Sequence, residues 1–271
     1  MRRHNGLKYA VIIASLAVYL SPLVWVLLSS FKTESEMFSI PPTVLKQATI
    51  MHYGRLLTQT EFPRYFWNSF ITATASTALS LLVGVPASYA LTRYKFRGAD
   101  KTLVVILALR MFPPIVFVLP FFFMMRAANL VDTNLGLIIV HFAFQLPLAI
   151  WLMRSFFLDL PKEIVEASEI DGCTRMGTFL RIAVPYVYPG IATTAIVNFL
   201  FSWNEFLFAV VLTRLHAKTV PVFMAESVTT FQVLWGQMFS SAIMFIAPVI
   251  AVAFILQKRM VVALGGGFIK S

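Results

Sequence analysis

The side chains best equipped for chemistry stand together in one long apolar run: Asn198, Trp203, Asn204 and Glu205. A hydroxyl-rich ligand needs hydrogen-bonding groups and an aromatic face, and these residues supply both. Each has a structural alternative, since Trp203 can anchor a helix at a membrane interface and Asn204 can bond a neighbouring helix. Arg110, His141 and Gln145 also sit inside apolar runs. An ionisable group at membrane depth is a functional candidate by default. Arg110 is nevertheless placed to snorkel to the nearer surface, and that reading is favoured over a substrate or gating role. His141 and Gln145, four residues apart on one helical face, suit interhelical hydrogen bonding.

Several chemistries are missing. No His-Glu-x-x-His pair, zinc-type cysteine pattern or catalytic triad occurs, so neither a metal site nor an enzyme active site is expected. The single cysteine, Cys173, excludes an intrachain disulfide. Gly265-Gly-Gly-Phe-Ile-Lys-Ser271 falls short of a phosphate loop, because the glycine before the lysine, the spacing and the following helix are lacking.

The most polar internal stretch runs from about Leu158 to Pro185 and reads as helix, glycine, helix. Pro161 suits a first helical turn, Glu163 and Glu166 favour a helix N-terminus, and Gly172 can adopt the left-handed conformation that ends a helix. Thr174 can cap a second short helix before Pro185. Ile164, Val165, Ala167 and Ile170 alternate with Lys162, Glu163, Glu166, Glu169 and Asp171, a helix too polar to span a membrane and too apolar to stand free. It therefore calls for a partner surface, with small Ala167 and Ser168 permitting close approach. Docking on lipid is the alternative, and the acidity of the helix disfavours it, since anionic lipid attracts Lys and Arg.

The elements that must hold these residues are membrane spans. Hydrophobic residues make up 59% of the 271 and charged ones 13%, against about 45–50% and about 25% in soluble domains. Apolar windows predict an all-α, polytopic bundle of about six helices in a single transmembrane domain over 1–271, with spans near 7–29, 67–89, 102–125, 135–153, 186–212 and 239–256. The basic start resembles a signal peptide but continues without a cleavage site, so it reads as a retained first span. The net charge of +10 lies in short loops rather than on one face, which argues against nucleic acid. Placing both termini inside gives inner segments with Arg2, Arg3, Lys8, Arg93, Lys95, Arg97, Lys101, Arg154, Lys162, Arg175, Arg181, Lys258, Arg259 and Lys270. That is twice the outer set of Lys32, Lys46, Arg55, Arg64, Arg126, Arg214 and Lys218, so both termini are expected in the cytoplasm. Ala73, Thr77, Ser80, Gly84 and Ser88 line one face of the second span, favouring close packing over a pore lining. Pro86, Pro113, Pro114, Pro120 and Pro147 interrupt helices at membrane depth, each removing a backbone donor and predicting a kink that faces protein or a cavity.

Glu166-Ala167-Ser168, Gly172, Ile182 and Pro185 resemble the EAA loop of inner-membrane permeases of binding-protein-dependent ABC importers, with Ser168 and Val184 as mild departures. The likeness runs nearly end to end and is similar to sugar-importer permeases of the maltose-transporter type. Ser30-Phe31-Lys32, Asn68-Ser69, the stretches 89–98 and 146–157, and Trp203-Asn204-Glu205-Phe206 carry it further.

The resemblance implies a multi-pass bacterial inner-membrane subunit that forms half of a carbohydrate translocation path. Glu163, Glu166, Ala167, Ser168, Asp171, Gly172, Ile182 and Pro185 would be its coupling residues, and Asn198, Trp203, Asn204 and Glu205 its candidate path residues. It implies a second, non-identical permease, two cytoplasmic ATPases that bind ATP and magnesium, and an external solute-binding protein. This chain would bind no cofactor, and its C-terminal tail would touch an ATPase. The alternatives are an importer permease for another small solute and an ion-gradient-driven transporter. The latter would need coupling carboxylates near midplane, where only Glu205 comes close.

Overall fold

A computed structural model describes residues 2–94, 98–228 and 233–265, and side chains from residue 8 to 251 within them. The stretch 95–97 and the tail after Gly265, expected to contact an ATPase, lie outside the described residues. In chain order the helices are α1 (Arg2–Ser30), α2 (Glu34–Met37), α3 (Met51–Thr58), α4 (Phe62–Arg93), α5 (Ala99–Met111), α6 (Ile115–Ala127) and α7 (Asn134–Leu158). There follow α8 (Lys162–Ile170), α9 (Arg175–Thr178), a π-helical turn (Phe179–Ala183), α10 (Val184–Tyr186), α11 (Tyr188–Trp203), α12 (Leu207–Leu212), α13 (Val220–Glu226) and α14 (Trp235–Gly265). The described residues are nearly all helical, with one isolated bridge between Val228 and Val233. Three of these helices are long and apolar enough to cross a membrane, or five spans result if each bent pair counts as one. The expected sixth span falls on α14.

Two expected spans depart from single rods. Between α5 and α6 the chain bends by 98°. Phe112 precedes a proline, which disfavours helical backbone, and its φ of −74° and ψ of 136° are extended. Pro113 and Pro114 then offer no N–H to continue the ladder. The expected fifth span is broken after Trp203: Asn204, Glu205 and Phe206 lie outside helix, and α12 restarts at Leu207. Before it, the turn into α11 is bent by 74°. Pro86, Pro120 and Pro147, expected as kinks, lie inside helices that continue past them. One lost hydrogen bond is tolerated there, whereas two adjacent prolines are not.

The chain divides into two compact units. The first comprises Met1–Phe66 and Phe223–Pro248. In α1 the side chains from Tyr9 to Leu27 are largely exposed and apolar, as for a helix bathed in lipid or covered by another subunit. Lys32 is buried, its Nζ donating to Thr43 O at 2.6 Å above the Trp25 ring. His52 Nε2 lies 2.9 Å from Lys32 O, and a Cβ on Gly236 would strike the His52 ring, so no larger residue fits there.

The second unit comprises Trp67–Val222 and Val249–Ser271. Ala73, Thr77, Ser80, Gly84 and Ser88 are all buried. A Cβ on Gly84 would lie 3.0 Å from Ala149 Cβ, and Ser88 Oγ donates to Ile150 O at 3.0 Å. The small face of α4 thus packs closely on α7. One end of this unit is sewn together by polar groups. Asn68 donates to the carbonyls of His216 and Lys218 and accepts from Asn134 Nδ2 at 3.0 Å, while Ser69 Oγ accepts from Val220 N.

Candidate functional site

The glycine-ended helix is mounted on an aromatic core. Tyr89 packs its ring against Phe157 and Phe179 at 5.3 and 5.0 Å, in a cluster with Met153, Leu160, Ala183 and Val187. Arg93 donates to Leu160 O at 2.6 Å, pinning the entry to α8. Pro161 stands one residue ahead of the helix with ψ 136°, as a cap rather than in the first turn. At the other end Gly172 has φ +84°. Cys173 N donates to Ser168 O and Gly172 N to Glu169 O, the paired bonds of a Schellman ending. Thr174 Oγ1 then accepts from Gly177 N at 3.1 Å, the expected cap of α9. Pro185 follows the π turn, whose widened geometry relieves the ring against the carbonyl of Arg181.

This mounting leaves Glu163, Glu166, Ala167, Asp171, Gly172 and Pro185 exposed, with Ile182 half-buried. Ile164, Ile170, Met176 and Leu180 are exposed apolar residues around them. Ser168 differs from expectation. It is buried, 3.0 Å from Thr178 Oγ1, and its hydroxyl donates to Val165 O at 2.7 Å. Ser168 therefore locks α8 onto α9 and is not available to a partner.

A second polar cluster lies where the broken helices meet α7. Gln145 Nε2 donates to Ser76 Oγ, Ser76 Oγ to Ser202 Oγ at 3.2 Å, and Ser202 Oγ lies 2.6 Å from His141 Nδ1. On the other side of the ring, His141 Nε2 lies 3.2 Å from the Glu205 carboxylate. The Glu205 carboxylate also accepts from Phe208 N at 2.7 Å and Ala209 N at 3.1 Å, capping α12. A carboxylate serves here because the restart of a helix leaves N–H groups without partners. His141 and Gln145 do form interhelical hydrogen bonds, as their spacing suggests. Ser76 and Ser202 enter this network only through packing; the i, i+4 pair Ser76 and Ser80 on the small face of α4 is the trace it leaves in the sequence.

Beside this cluster opens a cleft of about 230 Å³ whose lining includes Arg110, Pro114, Phe144, Gln145, Phe201 and Glu205. Arg110 does not stand clear of its neighbours: Nη1 reaches Phe144 O at 3.4 Å and the guanidinium lies over the Phe201 ring at 5.4 Å. Of the four path residues named from sequence, Glu205 borders the cleft. Asn204 is exposed and donates to Leu200 O. Trp203 is only 1% exposed and stacks on Phe199, so it is a core residue rather than an interface anchor. Asn198 is fully buried, and neither amide atom has a hydrogen-bond partner among the described residues. No cluster of three or more metal-ligating side chains occurs among the described residues.

Residues 78–261 match the family described as binding-protein-dependent transport system inner membrane component. A probable ABC transporter permease of Sinorhizobium fredii is 36% identical, over 93% of this chain and 91% of its own. A diacetylchitobiose uptake system permease of Streptomyces coelicolor is 32% identical, over 96% and 87% of the two chains. A trehalose/maltose transport system permease of Thermococcus litoralis is 32% identical, over 96% and 94%. The fold is similar to that of a chain in a bacterial ABC transporter involved in the import of the acidic polysaccharide alginate, with a TM-score of 0.79 and 24% identity over 94% and 96% of the chains. Sequence and fold agree, and the chain belongs to the family of binding-protein-dependent transport system inner membrane components, the multi-pass permease subunits of ABC importers in which ATP is hydrolysed by separate subunits.

Proposed function

We propose that this permease carries a carbohydrate and is driven through the segment from about 158 to 185, which acts as the EAA-type coupling loop. The observation that carries the reading is the α8 helix itself. It is held rigidly from below by Arg93, Tyr89 and the Ser168–Thr178 contact, and it presents Glu163, Glu166 and Asp171 around exposed Ile164 and Ile170. A rigid helix with an acidic rim and an apolar centre fits a partner groove with basic edges, and a rigid mount transmits displacement. Gly172 gives the helix its sharp ending, and Ile182 and Pro185 set the return into α11.

In this reading about six spans place both termini in the cytoplasm. The path is shared with a second, non-identical permease, an external binding protein delivers the solute, and two ATPases hold ATP and magnesium. Closure of the ATPases on ATP carries the docked helices along and turns the path outward; the drive depends on the helix binding the closed and open ATPase states unequally. The carbohydrate assignment is supported by relatives named for diacetylchitobiose and for trehalose/maltose and by a cleft that combines aromatic and hydrogen-bonding side chains.

Reconstituted vesicles test both parts. Import of a glycoside should require the ATPases and internal ATP and persist when ion gradients are collapsed. Import that survives without ATPase subunits would refute the coupling scheme. Glu166→Lys should leave the chain in the membrane yet reduce the ATPase that co-purifies with it.

A further inference from the structure

Arg110 is the uncommitted charge of the cleft. Its guanidinium carries five N–H donors, and the structure gives it one long hydrogen bond, to Phe144 O, and the face of Phe201. Among the described residues no carboxylate lies within 4 Å of it. Glu205 is the opposite case, holding His141 and two backbone N–H groups at once. A guanidinium cannot shed its proton in a protein, so in a low-dielectric setting its donors need acceptors. A lipid phosphate would provide them if the side chain snorkelled. A solute would provide them equally in the cleft that Arg110 shares with Gln145 and Glu205.

The chemistry of that cleft selects its occupant. Arg110 and Glu205 border it with opposite charges, and His141 lines it beside Glu205, so a neutral ligand leaves this set undisturbed, whereas an acidic one would add a second negative charge near Glu205. Phe144 and Phe201 offer apolar ring faces, and Arg110 with Gln145 offers planar donors. We propose that this cleft is a solute subsite, in which Arg110 donates to hydroxyl and ring oxygens of a neutral glycoside seated against Phe201. This rests on the carbohydrate-importer reading and adds to it a residue and a ligand charge.

Two measurements on the assembled importer decide it. In a Cys173→Ser background, Arg110→Cys and Val105→Cys are labelled with a charged, membrane-impermeant methanethiosulfonate reagent. Val105 is exposed on the same helix but does not border the cleft. Cys at 110 should react at least about tenfold faster; equal rates would put Arg110 in lipid and overturn the proposal. Uptake of radiolabelled trehalose, diacetylchitobiose and a glucuronate-containing disaccharide is then compared in wild type, Arg110→Lys and Arg110→Ala, normalised to assembled complex.

Wild type should import a neutral member of the panel, with KM raised roughly tenfold in Arg110→Ala, the loss of one charged hydrogen bond, and partly restored in Arg110→Lys. Unchanged KM in both variants, or preferred import of the acidic disaccharide, would overturn the subsite. Failure of wild type to import any of the three removes the carbohydrate reading and the ligand class with it. The labelling ratio still decides separately whether Arg110 borders the aqueous path.

Discussion

Gly172 has open space around the position of a Cβ, yet its φ of +84° is one that L residues adopt only under strain. Gly172→Ala should therefore cost about 1–2 kcal/mol of local stability, while Gly172→Pro also removes the N–H bonded to Glu169 O and cannot reach this φ at all. Co-purification of ATPase should fall in the order wild type, Ala, Pro; equal recovery in all three would detach the α8 ending from coupling. Asp132 is a different kind of residue-scale device. It sits at φ 61°, a conformation that Asp and Asn tolerate, and its carboxylate accepts from the backbone N–H groups of residues 214 to 217. Burial pushes its pKa up, but those four donors outweigh it and hold the carboxyl below its ordinary value. A depressed carboxylate contributes stability that is present above the unfolded pKa, about 3.9, and is lost as pH falls through the folded one. Wild type should thus unfold at a higher temperature than Asp132→Asn from neutrality down to about pH 4, and the gap should close below that.

The breaks in two spans are set by local chemistry with tertiary consequences. Restoring the N–H groups with Pro113→Ala/Pro114→Ala should favour one continuous helix. Spin labels at Val104 and Met124, both exposed, would be about 30 Å apart along a straight helix at 1.5 Å per residue. The 98° bend brings them about a third closer, so pulsed EPR should show the distance lengthen in the double variant. The double proline was visible in sequence, but its severity was not: Pro86, Pro120 and Pro147 look equally disruptive and are absorbed. The break at Asn204 has no proline at all. It exists because Glu205 can cap α12 while bonded to His141 from another helix, a pairing between residues 64 apart that no local pattern displays. The crossing of α11 over α7 depends on Gly190, where a Cβ would strike the Phe156 ring. Gly190→Ala should lower thermal stability by about 1–3 kcal/mol through overpacking, read as a lower melting temperature of the purified complex.

At the scale of the molecule, the long exposed apolar surface of α1 and the outward-facing residues of α8 mark a chain made to be covered by lipid and other subunits. If the path is shared with a non-identical permease, as proposed, withholding that subunit during expression should lower the yield of this one in membranes, measured against a co-expressed control. The sequence by itself determined membership of the membrane class, the helical character, the glycine-ended acidic helix with its Thr174 cap, and the packing face of α4. These follow from composition, period and turn chemistry, which act within a few residues. Tertiary structure alone decided which exposed residues of α8 remain free, since Ser168 is consumed by Thr178. It also turned Trp203 inward and brought Arg110, Gln145 and Glu205 to one cleft. The physical reason is that burial and hydrogen-bond satisfaction are shared properties of distant segments: a polar side chain in an apolar run declares that it needs a partner, and only the packed helices say which one it has.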